Sequence, residues 1–179
     1  MGMTVEDLYG MPEDGKKYEL EAGRLISEPL PGYRHGRLMF VVARILDAHA
    51  ARHGLGEVIV GDSGFVLART PDTVRGPDVA FVAEQRLALQ GDRTKAFEGA
   101  PDLAVEVLSP TNTRSDMHAK VGDYLAGGTR SVWVVDPEHR TVTVYDSLLS
   151  PRVLAESEVL EAGDVLPGFY VTVREFFEI

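Results

Sequence analysis

The sequence predicts an α/β (α+β) fold in which helices flank a mixed β-sheet, and three observations predict it. Apolar segments of strand length outnumber helical ones. Two clear helical patterns stand between predicted strands rather than together at one end of the chain. One segment, residues 103–108, is almost continuously apolar, as expected of a strand that is covered on both faces.

Length and composition limit the class of protein. The 179 residues favour one domain, residues 1–179, with 44% hydrophobic and 26% charged residues, which excludes a disordered chain. The absence of cysteine excludes disulfides, thiolate metal sites and cysteine nucleophiles. The net charge of −10 argues against indiscriminate binding of nucleic acid through a broad basic surface. Residues 32–135, however, hold 12 basic and 12 acidic residues, so the acidity belongs to the two ends.

The sequence contains no recognisable targeting or membrane segment. Its start lacks the basic and apolar regions of a signal peptide, and no stretch reaches the roughly 18 apolar residues that a membrane helix needs. We therefore expect a cytoplasmic protein that does not bind membranes.

The N-terminal third predicts a short helix, a hairpin and a long helix. A capping signal opens a short helix at residues 4–9, and residues 17–21 and 24–28 flank Ala22-Gly23, which is typical of a hairpin turn. From about residue 35 to 52, apolar residues recur every three or four positions, which predicts an amphipathic helix that ends before Gly54.

The remainder of the chain predicts strands around a second helix. Strand patterns at residues 57–60, 63–68 and 78–82 enclose a turn-rich loop at 69–77, while residues 84–100 fit either a helix or a long loop. Thr113, with Asp116 three residues later, predicts the start of a helix that ends at Gly127. A second hairpin follows at 131–135 and 141–145, and then short strands and a last helical turn.

Glu106 is the strongest candidate for a functional residue. It lies in the middle of the apolar strand 103–108, where an unpaired ionised carboxylate would cost several kcal/mol. A buried ion pair or hydrogen bond would explain it, and so would a divalent cation. Asp78, at the start of another apolar strand, would supply a second oxygen ligand of the kind that Mg²⁺ or Mn²⁺ prefers, although Pro-Asp is also common in turns.

Two further charged residues are candidates. Glu19 alternates with Tyr18 and Leu20 on the first strand, a pattern that also suits a solvated residue. Lys120 lies at the edge of the buried face of the second helix, from which its side chain can reach the strand end near Glu106. The alternative is a solvated lysine paired with Asp116 or Asp123.

Taken together, these segments resemble the Uma-two family, a bacterial restriction endonuclease-like family of the PD-(D/E)XK nuclease superfamily. The resemblance runs over nearly the whole chain. The segments that carry it are YELEAGRL (18–25), HGRL (35–38), PDVAFV (77–82), PDLAVEVLSP (101–110), KVGDYL (120–125), VWVVD (132–136) and VLPGF (165–169). Six ordered segments, with the closing VLPGF as a seventh, are far more specific than any single Pro-Asp pair.

The resemblance implies a restriction endonuclease-like mixed sheet and a metal site. Asp78, Glu106 and the backbone carbonyl of Val107 would hold Mg²⁺ (or Mn²⁺), Glu19 would complete the acidic cluster, and Lys120 would act as the catalytic lysine. The superfamily motif has a lysine two residues after the glutamate, where this chain has Leu108, and Lys120 matches the helical lysine that some members use instead. His35 also matches a family position, where a structural role at the helix end is an equal alternative.

The leading hypothesis is therefore a metal-dependent endonuclease that hydrolyses phosphodiester bonds in DNA. The alternative is a catalytically degenerate nuclease fold that serves as a binding or assembly module, which the leucine at position 108 favours. A hydrolase of another phosphate ester is a third reading of the same residues. Because cleavage of duplex DNA needs two active sites, we also expect a homo-oligomer, most simply a dimer.

Overall fold

The computed structural model describes residues 2–12, 14–28, 30–61, 63–88 and 90–178. In this part of the chain the helices, named α1 to α4, are Val5–Tyr9, Tyr33–His53, Glu84–Leu87 and Arg114–Ala126. The strands, β1 to β13, are Lys17–Glu21, Arg24–Glu28, Gly56–Val60, Phe65–Ala68, Thr73–Arg75, Val79–Ala83, Phe97–Glu98, Leu103–Val107, Ser131–Asp136, Thr141–Tyr145, Arg152–Ala155, Val159–Glu161 and Tyr170–Thr172. A 3-10 helix at Val173–Phe177 follows. None of the described helices is long and apolar enough to span a bilayer.

A six-stranded mixed sheet forms the centre of the molecule, which confirms the predicted fold class. Its order is β11-β10-β9-β8-β6-β3, and β8 and β9 are the parallel pair. Every residue of β8 is buried, as the apolar pattern predicts. Since side chains alternate along a strand, β8 directs Val105 into the core beneath α2 and Ala104 into the core beneath α4. Glu106 therefore faces α4.

A second sheet, of order β2-β1-β5-β4-β7, packs beside this end of the central sheet and brings Glu19 to it. The predicted hairpin is confirmed: β1 pairs with β2, with Lys17 opposite Glu28 and Glu19 opposite Ile26. The turn of the hairpin needs Gly23, because its φ is 76°, in the left-handed region.

Two segments differ from their predictions. Residues 69–77 were expected to form a loop, but Thr73–Arg75 forms β5, whose Val74 is buried between β1 and β4. Three residues give no periodic pattern, and the strand pairs both with the preceding β4 and with β1, which is distant in sequence. In residues 84–100, where the pattern left helix and loop open, the structure has the short helix α3 and the two-residue strand β7.

The helix boundaries follow the capping signals. Thr113 accepts a hydrogen bond from the backbone N–H of Asp116 at 3.1 Å, so α4 begins where the sequence predicts. The long helix α2 begins at Tyr33, two residues before the predicted start, and ends at Gly54, whose φ of 60° suits a left-handed helix end. These ends fix where His35 and Lys120 lie.

Candidate metal-dependent active site

Asp78 and Glu106 lie side by side on neighbouring strands. Strands β6 and β8 are antiparallel, with Val79 opposite Val105, so the next position in register sets Asp78 beside Glu106. Asp78 Oδ2 accepts the backbone N–H of Val107 at 2.7 Å, which fixes the carboxylate against the end of β8. The structure thus brings together the two acidic residues that the sequence singles out.

His35, in the first turn of α2, lies against this pair. Its Nε2 is 3.1 Å from Asp78 Oδ2 and 3.0 Å from the carbonyl oxygen of Val107. Both oxygens are acceptors, so Nε2 carries a proton and donates it. Burial tends to raise the pKa of Asp78, but the contacts with His35 outweigh it and lower that pKa. His35 therefore contacts the site from the first turn of α2.

Glu106 is a buried carboxylate with a perturbed pKa. Its Oε1 accepts the hydroxyl of Tyr124 at 2.7 Å, and its Oε2 is 3.6 Å from Lys120 Nζ. Burial raises the pKa of Glu106 to about 7, and the negative charges of Asp78 and Glu19 act in the same direction. Lys120 opposes the increase without cancelling it. At neutral pH, Glu106 thus lies near the midpoint of its titration.

Lys120 is buried among carboxylates, with 6% of its surface exposed. Its Nζ is 2.6 Å from Glu28, 3.3 Å from Glu19 and 3.6 Å from Glu106. Burial alone would lower the pKa of Lys120, but the three carboxylates outweigh it and raise the pKa. The alternative of a solvated lysine paired with Asp116 or Asp123 is wrong, and the side chain reaches Glu106 as predicted.

Glu19 is also buried, at 1% exposure, so the alternative of a solvated strand residue is wrong. Its Oε1 accepts the backbone N–H of Gly76 at 3.0 Å, and its Oε2 is 2.9 Å from an Arg75 nitrogen. Burial would raise the pKa of Glu19, but Lys120, together with the neighbouring cations, lowers it. Glu19 is therefore an ionised carboxylate beside the ammonium group of Lys120.

The sequence interpretation missed several residues of this centre, namely Lys17, Glu28, Arg75 and Tyr124. A signal for two of them exists, because a hairpin turn at Ala22-Gly23 pairs positions 17 and 28. Lys17 lies on the same side of β1 as Glu19, and its Nζ donates to the carbonyl of Gly76 at 2.6 Å. Tyr124 lies on the buried face of α4, where a tyrosine hydroxyl needs a hydrogen-bond partner.

The centre opens into a cavity of about 320 Å³. Its charged and polar lining, including the loop after β8, comprises Lys17, Glu28, His35, Asp78, Glu106, Ser109, Thr111, Asn112 and Lys120. Leu30, Pro31 and Gly32 form part of its rim. Glu19 lies beneath this lining and contacts the cavity through Lys120.

The residues present fit an oxygen-coordinated dication. Asp78 Oδ2 and the carbonyl oxygen of Val107 are neighbours, since both lie within 3.1 Å of His35 Nε2. Glu106 adds a second carboxylate in the same cavity. No group of three or more His, Asp or Glu side chains arranged for metal binding occurs within the described ranges. One or two carboxylates completed by waters and a carbonyl is nevertheless the ligand set that Mg²⁺ usually takes.

Comparisons with known proteins show the family and the fold of the chain. A family model described as "Uma2: Putative restriction endonuclease" matches residues 5–174. The structure is similar to a crystal structure from Anabaena variabilis, titled as a putative nuclease belonging to DUF820, with a TM-score of 0.84 and 18% identity. The alignment covers 98% of this chain and 97% of that chain. At this identity the similarity shows the fold. No curated protein matches the sequence.

Proposed function

The chain belongs to the Uma2 family, described as "Putative restriction endonuclease", and from that premise we propose that it is a Mg²⁺- or Mn²⁺-dependent endonuclease that hydrolyses phosphodiester bonds in DNA. The observation that carries the proposal is the convergence of Asp78, Glu106 and Lys120 on one cavity. A purely structural ion pair would not need an open cavity, nor a carboxylate whose pKa stays near 7 beside a lysine.

In this proposal Asp78, Glu106 and the carbonyl of Val107 hold the metal ion. A bound dication supplies Lewis acidity for the phosphate and lowers the pKa of a bound water. Asp78 is kept ionised and oriented by His35 and by the N–H of Val107. The carboxylate of Glu106 titrates near neutrality without metal, so we expect metal binding to compete with its proton.

Lys120 acts in this proposal as a positive charge and not as a general base. Because its pKa is raised by the surrounding carboxylates, it stays protonated at neutral pH and does not accept a proton from water. Its ammonium group, close to Glu106, can instead stabilise negative charge that develops on the phosphate or orient the attacking water. Glu19 and Glu28 hold that ammonium in place.

Plasmid cleavage tests the proposal. Supercoiled DNA is incubated with the purified chain and Mg²⁺ or Mn²⁺, and with EDTA as a control. We expect nicking that depends on the metal and that is lost in Glu106→Gln. The matched control is Asp164→Asn, an exposed carboxylate away from the cavity, which should nick at the wild-type rate. Equal nicking by wild type and Glu106→Gln would contradict the assigned site.

The second candidate, a degenerate fold used for binding or assembly, rests on one observation. Leu108 stands at the motif lysine position and packs against the core beneath α4, while Lys120 is bound at 2.6 Å by Glu28. Calorimetry with Mn²⁺ separates the candidates, since a degenerate centre gives neither heat of binding nor cleavage. Comparing the hydrolysis rates of DNA and of a small phosphodiester distinguishes DNA cleavage from hydrolysis of another phosphate ester.

We also propose that the chain acts in the cytoplasm as a homodimer. The supporting argument is chemical: cutting both strands of a duplex takes two hydrolytic sites. Light scattering at several protein concentrations measures the mass in solution, and a mass of one chain throughout would contradict the dimer.

A further inference from the structure

A stripe of exposed aromatic and arginine side chains runs along α2 away from the cavity. Tyr33, Arg37, Phe40 and Arg44 are spaced by four, three and four residues, which places them on one face of the helix. Tyr33 is 90% exposed and Phe40 is 54% exposed. The guanidinium of Arg37 lies over the Phe40 ring, 5.4 Å from its centroid. We call these four residues the α2 stripe.

The α2 stripe is continuous with the candidate active site. Tyr33, Arg37 and Phe40 line a shallow groove of about 510 Å³ whose other walls include Pro31 and Gly32. The same Pro31 and Gly32 form part of the rim of the cavity that holds Asp78 and Glu106. From Tyr33 to Arg44 the stripe is about 16 Å long at the rise of an α-helix. A ligand that leaves the cavity over this rim meets the stripe directly.

Gly36 lies inside α2 at a position where the fold does not require a glycine. A glycine inside a helix costs about 1 kcal/mol relative to alanine. Nothing lies within 4 Å of a Cβ built at Gly36, and its φ is not in the left-handed region. Gly36 lies between Tyr33 and Phe40 in the groove lining, so the absence of a side chain keeps the groove open.

The charge of α2 indicates what occupies the groove. In a chain of net charge −10, α2 carries four arginines and one carboxylate, Asp47. Proteins that bind single-stranded nucleic acid combine cationic side chains along the backbone with aromatic rings on which bases stack. A duplex offers its phosphates to such a surface but keeps its base faces stacked inside. Exposed rings interleaved with arginines therefore match unpaired nucleotides.

We infer that the α2 stripe binds a single-stranded segment of the DNA substrate, with bases stacked on Tyr33 and Phe40 and phosphates paired with Arg37 and Arg44. This inference rests on the proposed endonuclease function and narrows its substrate to DNA with unpaired nucleotides next to the scissile phosphate. Overhangs, flaps and single strands belong to that class.

Binding without cleavage tests the inference. Fluorescence anisotropy in EDTA compares a labelled oligo(dT) of about 20 nucleotides with a blunt duplex of the same length. Tyr33→Ala and Phe40→Ala should each raise the Kd for oligo(dT) by about fivefold or more, and the Kd for the duplex by less than about twofold. Arg37→Ala should weaken both. The matched control is Tyr170→Ala, a tyrosine on β13 that is 76% exposed, which should change neither.

Two results would overturn the inference. One is an oligo(dT) Kd that is the same in wild type, Tyr33→Ala and Phe40→Ala. The other is a dimer in wild type that becomes a monomer in these variants while the Kd per chain is unchanged, because the stripe would then be a contact between copies. Cleavage assays with Mg²⁺ or Mn²⁺ on plasmid, on oligo(dT) and on a duplex with a single-stranded flap separate the proposals. Ring-dependent oligo(dT) binding without cleavage of any of these substrates contradicts the endonuclease alone, and cleavage with ring-independent binding contradicts the stripe alone.

Discussion

Two charged clusters lie next to each other in this fold, and Glu19 contacts the cation of each, Arg75 and Lys120. In the first, the Arg75 cluster, Arg75 contacts Glu19 at 2.9 Å, Asp123 at 2.6 Å and Glu21 at 3.2 Å. The second, the cavity cluster, comprises Asp78, Glu106, Lys120 and Glu28. The Arg75 guanidinium is buried and does not line the cavity, whereas all four members of the cavity cluster do.

The two clusters differ in how well their charges are compensated. Around Arg75, Glu21 has a lowered pKa, first through its bond to Arg24, and Glu19 has a lowered pKa despite its burial. In the cavity cluster, burial raises the pKa of Glu106 to about 7, and Lys120, which also contacts Glu19 and Glu28, does not cancel that increase. The Arg75 cluster thus joins the second sheet to α4, whereas the cavity cluster holds a carboxylate that a cation would stabilise.

The largest expected effect is on stability, from Arg75→Met. Removing the Arg75 guanidinium takes one cation from the buried Glu19 and removes the partner of Asp123, and breaking such a buried ion network costs about 3–5 kcal/mol. Urea unfolding followed by circular dichroism measures the loss. Arg93→Met is the matched control, since Arg93 pairs with Glu57 at the surface and its loss should cost less than about 1 kcal/mol. Equal losses of stability in the two variants would contradict a structural role for the Arg75 cluster.

Lys120→Met should act mainly on cleavage. Loss of the positive charge should lower the nicking rate by about 10²–10³, as expected when a donor to a developing negative charge is removed. The stability loss should be smaller than in Arg75→Met, because Glu106 is able to take up a proton when its cation is gone. Initial nicking rates and urea unfolding on the same samples provide both numbers. If Lys120→Met lost as much stability as Arg75→Met but cleaved DNA at the wild-type rate, the role of Lys120 would be structural and the proposed role in cleavage would be contradicted.

Metal binding should stabilise the folded chain through the cavity cluster and not through the Arg75 cluster. Mg²⁺ or Mn²⁺ at about 100 times its Kd should add about 2.7 kcal/mol to the free energy of unfolding. Thermal unfolding with and without metal measures this. Asp78→Asn should abolish the increase, whereas Asp123→Asn, in the Arg75 cluster, should retain it. An increase of the same size in Asp78→Asn would place the metal elsewhere.

The smallest effect concerns the pH dependence of stability without metal. Because the pKa of Glu106 is about 7 in the folded chain and 4.5 in the unfolded chain, the folded state binds more protons between these values. The contribution of Glu106 to the free energy of unfolding therefore becomes less favourable as the pH rises from 4.5 to 7. Above pH 7 its full destabilising effect is present. Glu106→Gln should be more stable than wild type above pH 7, by on the order of 1 kcal/mol or more.

Near pH 4.5 the two proteins should differ little, because Glu106 is then protonated in the folded chain. Unfolding in EDTA at a series of pH values measures the difference. A difference that does not depend on pH would contradict the raised pKa of Glu106.

The residues of the cavity cluster could be predicted from the sequence more readily than those of the Arg75 cluster. An acidic residue in an apolar strand stands out against its neighbours, so Glu106 and Asp78 were identified, and helix periodicity placed Lys120 near them. Arg75 was missed because it lies in β5, a three-residue strand within a segment interpreted as a loop. Its partners come from β1 and α4, which only the tertiary fold brings together.

His35 and Glu28 show the same limit in another form. Their positions follow from the start of α2 and the register of the hairpin, yet what they contact depends on how these elements pack against the central sheet. That residues 1–179 form one domain, and that the site residues act in catalysis, stay predictions.

Electron paramagnetic resonance of Mn²⁺ tests the central claim most directly, because the signal of the ion in solution is lost when it binds. We predict that the wild-type chain and Asp123→Asn bind Mn²⁺ with the same affinity and that Asp78→Asn and Glu106→Gln do not. Absence of binding to the wild type, or equal binding by all four proteins, would contradict the assignment of the cavity cluster as a metal site.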